Sequence, residues 1–166
     1  MELAMTTGPG AALRMRIELG PSIVGEPSWP DGIAVRTFTD DDAIALYALL
    51  AHGYRHGGGA VAPFETWLPQ MTGDDEFDAN LWFLAESESE PTLVGTALCW
   101  TSAFVKDLVV HESWRRRGLG EALLRHVFRT FWARGAGAVE LKVEATNATA
   151  IRLYERAGMC VTERLR

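Results

Sequence analysis

Leu13, Met15, Ile17 and Leu19 alternate with Arg14, Arg16 and Glu18, a period of two that predicts a short strand near the start of the chain. Residues 20–32 are rich in proline and glycine and predict a linker, which places the start of the main domain near Ile33. Alternation resumes over 33–38 and predicts a second strand. Thr39 followed by Asp42 has the spacing of a capping box, and Asp40 and Asp41 add negative charge where a helix begins. A helix is expected from there to His52, because Ala43, Leu46, Tyr47 and Leu50 recur on one face. Gly53 is the expected stop and Gly57, Gly58 and Gly59 the expected loop. A short helix is predicted from Pro63, limited by Pro69.

Residues 81–86 and 92–101 read as a hairpin whose acidic turn contains Pro91, and 104–110 continues the run as a further strand. A long helix is predicted over 119–134, where Leu119, Leu123, Val127 and Phe131 return every fourth residue and Leu124 and Phe128 widen the stripe. A strand over 139–145, a helix over 148–157 closed by Gly158, and a strand over 159–164 complete the pattern. Strands paired as neighbours, followed by strands joined through helices, predict a mixed sheet in an α/β or α+β fold. The expected organisation is residues 1–32 as an N-terminal strand and linker and 33–166 as the domain proper.

Length and composition narrow the class. With 166 residues, 48% of them hydrophobic, the chain has the size and composition of one globular domain. Its net charge of −6 argues against nucleic acid as a partner. The apolar runs are shorter than a bilayer requires and the N-terminus lacks the pattern of a secretion signal, so the expectation is a cytoplasmic protein with no membrane partner. Cys99 and Cys160 lie in apolar stretches and are expected to be buried, reduced thiols. Neither they nor His52, His56, His111 and His126 have a metal-ligand spacing, and no metal is expected.

The candidate chemistry begins where the 104–110 strand runs into Arg115, Arg116, Arg117, Gly118 and Gly120 at the start of the long helix. Unpaired main-chain N–H groups at such a helix start form an anion site, and three arginines add charge-assisted donors suited to a pyrophosphate. Micromolar affinity requires about 8 kcal/mol. One charged hydrogen bond supplies only about 1.5–3 kcal/mol, so several donors must act together. Taken alone, the same residues also fit a solvated turn whose glycines merely cap a helix. Leu123 stands where a dinucleotide-binding turn has a small residue, and the Gly-Lys-Ser/Thr ending of a nucleotide P-loop is absent.

Arg115-x-x-Gly118-x-Gly120 after a strand, followed further along by Asn147-Ala-Thr-Ala-Ile-Arg-Leu-Tyr154-Glu-Arg-Ala-Gly158, resembles the GCN5-related N-acetyltransferase (GNAT) family. The similarity spans about residues 33–165 and is greatest to one half of actinobacterial tandem proteins related to mycothiol synthase. The resemblance implies a central mixed sheet with a splayed pair of strands flanked by helices. It implies acetyl-CoA as co-substrate and a small-molecule or peptide amine as the acceptor, attacked directly in a ternary complex. It further implies that Arg115, Arg116, Arg117, Gly118 and Gly120 hold the coenzyme A pyrophosphate. The main chain of Leu108, Val109 and Val110 would pair with the pantetheine arm, Asn147 would hydrogen-bond that arm, and Tyr154 would be the general acid.

A phenol of pKa about 10 is a chemically reasonable acid for a leaving thiolate whose conjugate acid titrates near about 8.5. As a structural residue, Tyr154 would instead share a helix face with Ala150, Leu153 and Ala157. Lys106 and Lys142 stand where several relatives carry a glutamate base, which leaves Asp107, Glu144 and Glu86 as open candidates. Without a base, an α-amine costs about 1 kcal/mol to deprotonate at neutral pH and a lysine-type amine about 4.6 kcal/mol, which favours a low-pKa acceptor or a water-relayed proton path. Trp67 and Trp82 read first as core and secondly as lining for an acceptor pocket. The chain ends at Arg166, before the family's usual last strand. The 13–19 strand is therefore expected to fill that place, within the chain or across a homodimer. The missing glutamates and short ending also fit a second function, a catalytically weak CoA-binding or interaction module from a tandem protein.

Overall fold

A computed structural model of the chain describes residues 2–3, 10–54, 61–90 and 92–166, with the main chain alone for 2–3. The expected glycine loop at Gly57 to Gly59, with His56, and the Pro91 turn lie outside the described residues. In chain order the elements are β1 (Glu2–Leu3), β2 (Ala12–Glu18), β3 (Ile33–Thr37), α1 (Ala43–Tyr54), α2 (Phe64–Thr72), β4 (Trp82–Ser87), β5 (Leu93–Trp100), β6 (Phe104–Val110), α3 (Leu119–Ala133), β7 (Ala138–Glu144), α4 (Ala148–Arg156) and β8 (Cys160–Leu165). The sheet runs β3-β4-β5-β6-β7-β2-β8, and β1 pairs with β6 beside that path. Every pairing is antiparallel except that of β6 with β7. The expected mixed sheet flanked by helices is what forms.

One apolar core lies between the sheet and α3 and α4, and contains Leu123, Val127, Phe128, Phe131, Tyr154 and Met15. A second lies on the other face beneath α1 and α2, and contains Leu46, Leu50, Trp67, Met71 and Trp82. The predicted i, i+4 stripes of α1 and α3 are the faces that enter these cores.

The early strand completes the sheet within the same chain. Met15 faces Leu141 of β7 on one side and Val161 of β8 on the other, so β2 separates the last two strands. Its register follows from its pattern. Leu13, Met15 and Ile17 are buried, each contributing about 1.5–3 kcal/mol. The alternate residues face outward, where Arg14 meets Glu140 and Glu163 and Arg16 meets Glu18 and Glu140. A slip by one residue would bury the arginines. The following 20–32 segment has the irregular path its prolines predict, but it is not a free tether. Ile23, Val24 and Trp29 pack on the α3 core, Trp29 meets the edge of His126 at 5.7 Å, and Glu26 pairs with Arg129 at 2.7 Å.

The capping box at the start of α1 is present, opening on a 3-10 turn at Asp40–Asp42. Arg36 of β3 donates to both oxygens of Asp42 at 2.8 and 2.6 Å, and Thr39 N–H donates to Oδ2 at 2.8 Å. The Arg36 hydrogen bond is the main reason the Asp42 carboxyl is held down to about 2. Gly53 does not stop the helix, which runs one residue further to Tyr54. Gly53 is buried and the Tyr54 phenol is anchored on β6, so tertiary contact overrides the local stop signal. Pro69 likewise sits inside α2, which continues to Thr72. Of the cysteines, Cys99 is buried and Cys160 is exposed, because β8 lies at the sheet edge instead of inside it.

Candidate functional site

The site is built around the place where β6 and β7 part. Their parallel pairing extends only over Phe104↔Glu140 and Val105↔Leu141, after which the two strands diverge. At the same level β6 carries a bulge: Leu98 faces Asp107 and Cys99 faces Val105, which leaves Lys106 as the extra residue. The edge of β6 beyond the bulge is thereby released from β7 and is free to pair with an added strand. In this structure β1 uses part of it, with Leu3 opposite Asp107 and Glu2 opposite Leu108. Leu108 thus shares its edge with the N-terminus, whereas Val109 and Val110 carry no such partner among the described residues.

Beyond β6 the chain makes a short 3-10 turn at Glu112–Trp114, capped by His111, whose Nδ1 accepts from Ser113 N–H at 3.2 Å. It then enters the arginine loop in an unusual backbone path. Arg116 has φ 63° and Gly118 has φ 84°, both in the left-handed region. For a residue other than glycine this costs about 1–2 kcal/mol, the kind of strain that persists where a loop must present its main chain. Among the described residues no main-chain carbonyl accepts from the N–H groups of 116–121, and the first helical bond is Ala122 N–H to Gly118 C=O. These donors stand at the positive end of the fifteen-residue α3. Arg115, Arg116 and Arg117 are exposed, and the Arg117 guanidinium lies 4.4 Å from the Trp114 ring centroid, which restrains it beside the turn.

The two glycines differ in their surroundings. A Cβ on Gly118 would meet nothing within 4 Å, so its role is the left-handed turn and an open approach to the main chain. A Cβ on Gly120 would stand 3.2 Å from Leu153 Cδ2 and 3.7 Å from Val110 Cγ2. Gly120 therefore lets α4 pack against the start of α3.

That packing positions the second motif. Asn147 caps α4 through Oδ1, which accepts from Ala150 N–H at 3.2 Å. Tyr154, seven residues on, is fully buried in the α3/α4 core. The structure thus brings the arginine loop, the open edge of β6 and the Tyr154 helix to one end of the sheet.

On the opposite face lies a polar pair that sequence reasoning only half found. Asp107, 1% exposed, accepts from Tyr54 Oη at 2.8 Å. Tyr54 had a legible signal, since it lies seven residues after Tyr47 and continues the α1 stripe past Gly53. Nearby, His52 and His111 stack with centroids 4.3 Å apart and planes 5° apart, and His52 Nε2 is 3.7 Å from Glu112. Of the other carboxylates, Glu86 is engaged by Arg36 at 2.6 Å, and Glu144 lies on β7 opposite Ala12. Trp67 and Trp82 are core residues, 6% and 0% exposed. Among the described residues no cluster of His, Cys, Asp or Glu is placed to hold a metal ion, and no helix is long and apolar enough to cross a membrane.

Comparison with known proteins agrees with this arrangement. Residues 43–159 match the acetyltransferase (GNAT) family. The mycothiol acetyltransferase of Streptomyces avermitilis is 31% identical over 159 residues, covering 90% of this chain and 50% of the relative. That of Clavibacter michiganensis subsp. michiganensis is 33% identical over 166 residues, covering 94% and 53%. A solved GCN5-related N-acetyltransferase from Sphaerobacter thermophilus superposes with a TM-score of 0.80 at 34% identity, covering 93% of this chain and 49% of that one. The chain spans about half the length of the relatives it matches.

Proposed function

The chain belongs to the GNAT acetyltransferase family, and from that premise we propose that it transfers the acetyl group of acetyl-CoA to an amine of a small molecule or peptide, by direct attack in a ternary complex. The observation that carries the proposal is the run of N–H groups from 116 to 121 with no main-chain acceptor among the described residues, around the left-handed Arg116 and Gly118 at the head of α3. Arg115, Arg116 and Arg117 add charge-assisted donors, and together these groups suit the CoA pyrophosphate. From there the pantetheine arm would run along the β6 edge at Val109 and Val110, displacing β1 from Leu108, with the Asn147 amide donating to it. Acetyl-CoA brings the activated acyl group. Tyr154 then protonates the leaving thiolate as the amine nitrogen bonds the carbonyl carbon.

A second reading, a CoA-binding module that transfers poorly or acts as one half of a tandem protein, draws on two observations. The chain spans half of its relatives, and Tyr154 is fully buried with β1 on the cofactor edge. Thiol release from acetyl-CoA, followed over a panel of amino acids, aminoglycosides, small amines and peptide N-termini, separates the two. Amine-dependent release with a matching acetylated product supports transfer, whereas CoA binding without release supports the module.

A further inference from the structure

The bulge in β6 turns a buried carboxylate toward α1, next to the place where β6 and β7 part. Val105, Leu108 and Val110 pack with the α3/α4 core, whereas Val109 packs with the α1/α2 core. In a regular strand residue 107 would share the face of Val105. The extra residue, Lys106, reverses the alternation and turns Asp107 toward α1, where Tyr54 Oη donates to Oδ1 at 2.8 Å. The second oxygen, Oδ2, stands 3.7 Å from Lys106 Nζ, too far for a hydrogen bond, and so keeps accepting capacity. On β5, the buried Cys99 thiol is pushed up first by burial and then by the charge of Asp107. Oδ2 forms an ion pair with Lys106, so the carboxylate has a charged partner as well as the Tyr54 hydroxyl.

We propose that Asp107 is the catalytic base that takes the proton of the acceptor ammonium, and that Tyr54 is the residue that positions it. The proposal rests on the acetyl-transfer reading given above. Tyr154 belongs to the α3/α4 face and Asp107 to the α1 face, with the β6/β7 gap between them. An amine attacking a thioester held in that gap would have the acid on one side and the base on the other. One N–H bond of the ammonium breaks and its proton moves to Oδ2. The freed electron pair forms the bond from nitrogen to the carbonyl carbon as the carbon–sulfur bond breaks. The thiolate takes the Tyr154 proton, the phenol is reprotonated by the second proton lost from nitrogen, and the proton on Asp107 leaves to solvent.

Asp107→Asn keeps the shape and the acceptor for Tyr54 but removes the basic oxygen. With the fastest acceptor among glycinamide, glucosamine, kanamycin and an alanyl peptide, kcat/KM at pH 7 is expected to fall by about 10² to 10⁴. CoA affinity should hold, and the deficit should shrink as rising pH supplies free amine. Tyr54→Phe removes a hydrogen bond to the charged form, so the acid limb of its pH profile is expected to move to higher pH. Asp107→Asn turning over like wild type with an unaltered pH profile would overturn the proposal. An unmoved acid limb in Tyr54→Phe would do the same should the first variant not fold. A wild-type chain that binds CoA yet acetylates none of these amines would instead remove the transfer reading on which the proposal rests.

Discussion

Gly120 and Leu153 set the contact between the arginine loop and the helix of Tyr154: a Cβ on the glycine would stand 3.2 Å from Leu153 Cδ2. That separation is tight, so an alanine must push the Leu153 side chain by a few tenths of an ångström. Gly120→Ala is expected to cost about 1 kcal/mol of stability and to slow transfer more than it weakens CoA binding. Gly118→Ala meets no clash but must hold φ 84°, and is expected to cost about 1–2 kcal/mol and to lose CoA affinity. Thermal denaturation and CoA titration on the two variants distinguish these effects. Equal losses of affinity in both would count against the division of roles.

Tyr154→Phe removes only the hydroxyl of a fully buried ring. The rate of acetyl transfer is expected to fall about 10² to 10⁴-fold while the dissociation constant for CoA changes little. Steady-state kinetics beside a CoA titration checks this. An unchanged rate would make Tyr154 a core residue alone.

Deleting residues 1–9 removes β1, which takes the β6 edge opposite Asp107 and Leu108. Because CoA needs that edge in the proposed binding mode, the shortened chain is expected to bind it severalfold more tightly. Calorimetric titration of both chains provides the measurement. Weaker binding would mean that the N-terminus assists the cofactor.

The Arg36–Asp42 pair gives the fold a defined acid sensitivity. Its hydrogen bonds hold the Asp42 carboxyl down to about 2 in the folded chain, against about 3.9 when unfolded. The resulting stabilisation, about 2 kcal/mol, is fully present above the unfolded value and lost as pH falls through the folded one. Asp42→Asn is expected to be less stable than wild type by about that amount at pH 7, with the difference closing between pH 4 and 2. Denaturant titrations at several pH values test it. A difference that persists at pH 2 would assign the effect to the helix cap.

Legibility in the sequence followed the range of the interactions involved. The strand β6, the helix α3 and the Arg115 to Gly120 turn were readable because periodicity, glycine placement and charge all act within a few residues. The vacancy in the sheet was also readable, but its filling in cis was not, since the Met15↔Leu141 register joins distant segments. Gly53 and Pro69 misled as helix stops because buried contacts outweigh local propensity there. Cys160 misled because an apolar neighbourhood in sequence does not reveal a sheet edge. Asp107 was visible as a carboxylate, but only the bulge at Lys106 decides which face it takes. The role of Gly120 required knowledge of where Leu153 lies.

In the proposed binding mode the strand end, the left-handed turn and the head of α3 together grip a diphosphate. Isothermal titration of the intact chain with coenzyme A at low salt addresses it most directly, with Arg115→Ala and Arg117→Ala alongside. Micromolar affinity that weakens with added salt and falls further in both variants is the predicted result. No measurable heat of binding at low salt, or full affinity in both arginine variants, would contradict it.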